Sequence, residues 1–209
     1  MKRKLILYFL IFVSVYALAQ CKKQVEDNTP PASEDILAFS DSEKSIIYNN
    51  GIDSAFRILN YFILPDSLIL RNQSRNINWN DTASLFYLTD RMLVSVTQAG
   101  GVGIAAPQVG LNRNIIWVWR NDKPTHPWEL YFNPVITKYS DSTKLRSDGC
   151  LSLPGVSGQS WRAIWVNVEY DLANGTHKSE HISQAYTAHI FQHEIDHLNG
   201  IVYVDRMTQ

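Results

Sequence analysis

Residues 191–200 read FQHEIDHLNG, and within them His193-Glu194-x-x-His197 constrains the chain more than any other stretch. In a helix, residues four apart lie on one face, one turn above the other. Both imidazoles can then reach a single metal ion, with the Glu194 carboxylate beside them. The question is whether a metal is held here and, if so, which third residue completes the site.

The third ligand has several candidates. Glu194 and Asp196 do not project with both histidines. His126, His177 and His181 are further candidates, and His189, one turn before His193 on the same face, cannot be dismissed by geometry alone. Cys150, in SDGCLSLPG (147–155), is the sharper candidate. A lone cysteine is commonly a small buried hydrophobe. Beside this helix, however, two imidazoles and a thiolate would leave a fourth position open, as catalytic metal sites do.

The rest of the pattern is α+β, with antiparallel or mixed sheets packed around a central, near C-terminal metal-binding helix. Residues 81–99 read as a helix capped by Asp81 or Thr82. Leu85, Leu88 (or Phe86), Met92, Leu93 and Val96 form its apolar stripe, and Gly100-Gly101 closes it. Strands are expected at 114–120, 129–137, 163–170 and 177–183, with Asn174-Gly175 as a two-residue hairpin turn. A helix follows at 186–198, stopped by Gly200, then a short strand at 201–204. Residues 41–62 carry a loose helical pattern. Residues 64–79, with Pro65 and several asparagines, read as loop with short extended pieces.

The first twenty residues read as a signal peptide. A basic head, Lys2-Arg3-Lys4, precedes the apolar run LILYFLIFVSVYAL, which is shorter than the ~20 residues a spanning helix needs. Leu18-Ala19-Gln20-Cys21 resembles a bacterial lipoprotein signal and gives Cys21 a role as a lipidated residue. Ordinary cleavage after Ala19 is the alternative. Residues 21–42, polar and proline-containing, are expected to be a disordered tether, and 43–209 the working domain. The implied place is the cell envelope, on a lipid anchor, or a soluble periplasmic or secreted form. A net charge of −1 excludes a strongly basic nucleic-acid binder. With two cysteines there is no disulfide framework, and no heptad or interface stripe fixes an oligomeric state.

Three stretches in series, GVGIAAPQ (101–108), DGCLS (148–152) and QHEIDHLNG (192–200), together resemble the peptide deformylase family. The likeness continues into GLNRNIIWVW, FNPVIT and GIVYVDRM and covers roughly residue 60 onward. The resemblance implies that Cys150, His193 and His197 ligate a divalent metal. That ion is commonly ferrous iron, with zinc fitting an exported form because an iron–thiolate site is open to oxidation. It implies that Glu194 is the general acid–base, and that the Gln108 amide and the Leu151 N–H stabilise the oxyanion. Gly103, Ile104, Gly149 and Leu151 would line the substrate groove. The reaction implied is hydrolysis of N-formylmethionyl peptides to formate and a free amino terminus. Three positions depart from the family pattern. Asp148 replaces a glutamate, with a looser cysteine loop expected. His189 stands where many members carry arginine, and Ile104 replaces leucine. Two other functions suit parts of the sequence. One is a zinc peptidase of the general His-Glu-x-x-His type, which would not need Cys150. The other is a non-catalytic envelope lipoprotein that binds formylated peptides or metal on a deformylase scaffold.

Overall fold

The structure, a computed structural model, describes residues 38–207. The expected signal peptide, most of the tether and Cys21 lie outside them. The first element begins inside the expected tether. Helix α1 (Asp41–Ile47) is opened by a capping box: Ser40 Oγ accepts from the Glu43 N–H at 3.3 Å, and Glu43 accepts from the Ser40 N–H at 2.8 Å. Two backbone donors are thereby satisfied where the helix has none of its own. Helical structure does not continue to residue 62.

Helix α2 (Leu64–Leu70) occupies a stretch expected to be loop. Pro65 sits in its first turn, where a missing N–H costs nothing and the fixed φ favours the helix. Helix α3 (Thr82–Gln98) matches its expectation closely. Asp81 caps it by accepting from the Ser84 N–H at 3.1 Å. Leu85, Leu88, Met92 and Val96 are fully buried, and Phe86 is exposed. Gly100 takes φ +68°, and the Gly101 N–H donates to the Val96 carbonyl at 3.0 Å, closing the helix with a left-handed turn.

The sheet explains the core. Its order is β1 (Gly103–Ala105), β2 (Ile115–Trp119), β3 (Trp128–Tyr139), β6 (Val166–Asp171), β7 (His177–Ile182), all antiparallel to their neighbours. Successive side chains in a strand point to opposite faces. Ile104, Ile115 and Phe132 therefore join α3 in one apolar cluster. Ala105, Ile116, Val118, Tyr131, Val166 and Val168 join helix α4 (Ala185–Leu198) in the other. The sheet is thus covered by a helix on each face.

A separate two-stranded sheet, β4 (Thr143–Gly149) with β5 (Ser157–Ala163), was not expected. Its strands read TKLRSDG and SGQSWRA, with too few apolar residues to alternate. The turn after β6 spans three residues rather than two. The Leu172 N–H donates to the Thr176 carbonyl at 2.9 Å, and Gly175 takes φ +78°, the usual left-handed place in a three-residue hairpin loop. Residues 203–205 form a single 3-10 turn, not a strand, with the Val202 N–H donating to Asp205 at 3.0 Å.

Candidate metal centre

Helix α4 is buried along almost its whole length, from Thr187 to Leu198. Its apolar residues Ile190, Phe191, Ile195 and Leu198 pack on the sheet. The remaining stripe carries His189, His193 and His197 toward the end of β4. The Gln184 side chain caps the helix start, accepting from the Thr187 N–H at 2.7 Å. Gly200, φ +70°, ends it.

Cys150 follows β4 directly, so the β4–β5 hairpin delivers the thiol to the helix. Cys150 Sγ lies 3.2 Å from His197 Nε2. The donor atoms of Cys150, His193 and His197 all fall within 4.8 Å of one another. His193 Nδ1 faces Asp148 Oδ1 at 2.9 Å, which leaves Nε2 as the nitrogen that could reach an ion. A carboxylate on the far nitrogen of a ligating histidine fixes its orientation and raises its basicity. One soft sulfur and two imidazoles suit a first-row divalent ion. Two further atoms at the centre, Glu194 Oε2 and His197 Nδ1, are buried without a hydrogen-bond partner.

The Asp148 departure does not leave the cysteine loop loose. Asp148 is 7% exposed and accepts from Ser160 Oγ at 2.9 Å and from the Gly149 N–H at 3.0 Å. It also faces His189 Nε2 at 3.2 Å and Arg162 Nη2 at 3.5 Å. The two departures noted separately in the sequence therefore meet: a shortened acid lies against a shortened base. Burial works against the Asp148 charge, yet His189 and His193 hold its carboxyl far below the ordinary range. Arg162 continues the chain of charges by donating to Asp196, so Asp196 points away from the centre.

The titration of the two reactive side chains follows from their surroundings. Complete burial pushes Glu194 up to about 7, outweighing the nearby histidines. Burial also opposes the Cys150 thiolate, but His197 and His193 more than compensate and bring it down to about 5. A thiolate and a carboxylate that exchanges its proton near neutrality are the forms a hydrolytic centre needs.

Gln108 is held by its own turn, a 3-10 helix at Ala106–Val109. Its Oε1 accepts from the Ala105 N–H at 2.9 Å, so Nε2 is turned toward Cys150 Sγ at 3.5 Å and Ser152 Oγ at 3.4 Å. A cavity of about 350 Å³ opens over these groups. Gly103, Gln108, Gly149, Leu151 and Glu194 all line it. Ile104 does not. Strand alternation turns its side chain away from Gly103 into the opposite core, where it is fully buried. What Ile104 offers is backbone, on a strand at the sheet's edge. Tyr186 and Ile190 line the wall and were missed, because their helical spacing also fits an ordinary core face. His126 packs beside Trp119, His177 pairs with Asp171 and His181 with Asn167, so none of the three belongs to the centre.

Comparison with known proteins follows the same residues. The sequence pattern of the polypeptide deformylase family matches residues 58–209. The peptide deformylase of Desulforudis audaxviator is 36% identical over 156 residues, covering 74% of this chain and 95% of that one. That of Agrobacterium fabrum is 36% identical over 149 residues, covering 70% and 85%. Among solved structures, a class I type b peptide deformylase from Acinetobacter baumannii with Met-Ala-Ser bound aligns with TM-score 0.67 and 32% identity, covering 74% of this chain and 99% of that one. The enzyme from Thermotoga maritima aligns with TM-score 0.66 and 29% identity, covering 74% and 99%.

Proposed function

Because this chain belongs to the polypeptide deformylase family, and is a metal-dependent peptide deformylase, we propose how its own residues divide the work. Cys150, His193 and His197 hold the divalent ion, and Asp148 orients His193. The ion supplies Lewis acidity, which acidifies water toward neutrality and polarises a carbonyl. The convergence of these three donors beside Glu194, whose Oε2 is buried without a hydrogen-bond partner, carries the proposal.

The substrate is an N-formylmethionyl peptide. Its extended chain pairs with the free edge of β1, and Gly103 lets the backbone approach closely. Water oxygen bonds to the formyl carbon as Glu194 takes the water's proton. The oxyanion that forms accepts from Gln108 Nε2 and the Leu151 N–H. The carbon–nitrogen bond then breaks, Glu194 returns a proton to the leaving amine, and formate departs.

Two finer points complete the proposal. The donor set accommodates ferrous iron or zinc, and zinc suits an exported form. Cys21 tethers the enzyme to the envelope by a lipid anchor, so its substrates are formylated peptides found there. Loss of labelled-palmitate incorporation in Cys21→Ala would support that anchor; unchanged incorporation would refute it.

Formate release from formyl-Met-Ala-Ser tests the assignment, with protein prepared anaerobically with iron and separately with zinc. Release of formate with the Met–Ala bond intact is expected. Cleavage of the internal bond would make the protein a peptidase. Stoichiometric metal with neither product would make it a binding protein.

A further inference from the structure

A second cavity lies on the neighbouring flank of helix α4. Gln192 and Asp196, one turn apart, each precede a metal-facing histidine by one residue, so they point about 100° round the helix from the ligands. With Tyr139, Trp161, Arg162 and Arg206 they line a cavity of about 330 Å³. That volume is of the order small-molecule sites have. The cavity shares no lining residue with the one over the metal centre.

Its inner groups are already partnered. Gln192 fastens the helix to the end of β5: its Oε1 accepts from the Ala163 N–H and its Nε2 donates to the Ala163 carbonyl, both at 3.0 Å. Arg162, almost wholly buried, donates through Nη1 to Asp196 and through Nε to Ser160 Oγ at 3.3 Å. Asp196 also accepts from Arg206 Nη2 at 3.0 Å and Nε at 3.3 Å. The one carboxylate of the cavity is therefore engaged by both guanidiniums.

The outer groups are not. Strand alternation buries Arg162 and turns its neighbour Trp161 outward, where it is 56% exposed. Tyr139, the last residue of β3, is 52% exposed. Among the described residues neither ring packs on another aromatic ring. The Tyr139 hydroxyl, the Trp161 indole N–H and Arg206 Nη1 make no hydrogen bond there either. Burial, with the Asp196 charge, holds the Tyr139 hydroxyl above its ordinary value, so it keeps its proton and can donate. Donors thus line the cavity while its own acceptor is taken, beside two half-exposed rings. A guanidinium is matched best by an oxyanion such as a carboxylate, and ring faces by a flat apolar body. An acidic protein segment would bring the same oxygens, but the concave shape favours a small molecule.

We propose that this cavity is a second binding site, taking a small carboxylate on a planar, apolar body, with its oxygens on Arg206 and its flat faces against Trp161 and Tyr139. The proposal stands apart from the deformylase chemistry, which is read separately by formate release.

Calorimetric titration of the metal-loaded full chain with benzoate tests it, with C-terminally amidated Met-Ala-Ser present to keep benzoate off the metal. One equivalent of saturable binding is expected. Benzyl alcohol, uncharged and similar in shape, should bind at least ~10-fold more weakly. Arg206→Gln and, separately, Trp161→Ala should each weaken benzoate by ~10-fold. Trp161→Ala changes an exposed position and should keep formate release, so its result stands even if Arg206→Gln loosens the fold. No benzoate binding would overturn the proposal, as would parent affinity in both variants or equal binding of benzyl alcohol. Binding of a glutamate-rich peptide without binding of benzoate would overturn it in favour of a protein partner.

Discussion

Gly103→Ala probes the closest approach in the site. A Cβ at this position would stand 2.4 Å from Glu194 Oε1 and under 3.0 Å from its Cδ and Cγ. Non-bonded carbon contacts are comfortable at ~3.5 Å, so Glu194 must retreat by about 1 Å. The strand itself tolerates alanine, since Gly103 lies in extended backbone and needs no positive φ. The cost should therefore fall on the acid–base rather than on the strand. A displacement of about 1 Å is worth ~100-fold in rate, and forced repacking ~1–3 kcal/mol in stability. Metal content should hold, because none of the three ligands is displaced. The assay is formate release at saturating formyl-Met-Ala-Ser, beside metal content and urea unfolding. Glu194→Asp supplies the control: in that shorter background the added methyl should cost less stability. Wild-type kcat in Gly103→Ala, with the same metal content, would refute the reasoning.

Asp148→Asn removes the charge behind His193. Metal affinity, followed by chelator competition, should weaken ~10–100-fold; unchanged affinity would show that Asp148 only packs. The Asp148–His189 contact predicts coupling. Asp148→Glu and His189→Arg together should lie nearer the parent in stability than the sum of the single variants, and simple additivity in unfolding would deny it. Asp66 is held at about 2 chiefly by its Arg57 hydrogen bonds, against the cost of burial. Its folded pKa is depressed, so its contribution is complete above the unfolded value near 4 and is lost as pH falls through about 2. Asp66→Asn should cost about 1–2 kcal/mol at pH 7 after allowance for the exposed Arg57. The difference should shrink toward pH 2 in urea unfolding, and a gap constant with pH would point to packing instead.

The sequence was most legible where one periodicity dominated. Helix α3 carries an uninterrupted apolar stripe between a capping aspartate and a glycine pair, and its ends fell where expected. Helix α4 announced its metal face through histidines four apart. The β4–β5 hairpin was illegible because the positions it buries are largely polar, Asp148, Ser160 and Arg162 among them, so no apolar alternation marks its strands. Yet that hairpin delivers Cys150 to the two helix histidines without any pattern of its own. Helix α2 was hidden by Pro65 and by the outward Leu64 and Leu68, which break the usual rule of apolar inside although Leu70 keeps it. Asp148 and His189 each stood out alone, but their contact joins residues 41 apart and only the fold could show it. Ile104 went the other way. The motif implicated it, and strand alternation sent its side chain into the core.

The central claim is that Cys150, His193 and His197 hold the ion while Glu194 moves the proton. Cys150→Ala and Glu194→Ala, measured in parallel for bound metal and for formate, separate those roles most directly. The account predicts that Glu194→Ala keeps about one equivalent of metal and releases no formate, whereas Cys150→Ala loses both. Formate release by Glu194→Ala, or full metal and activity in Cys150→Ala, would contradict it.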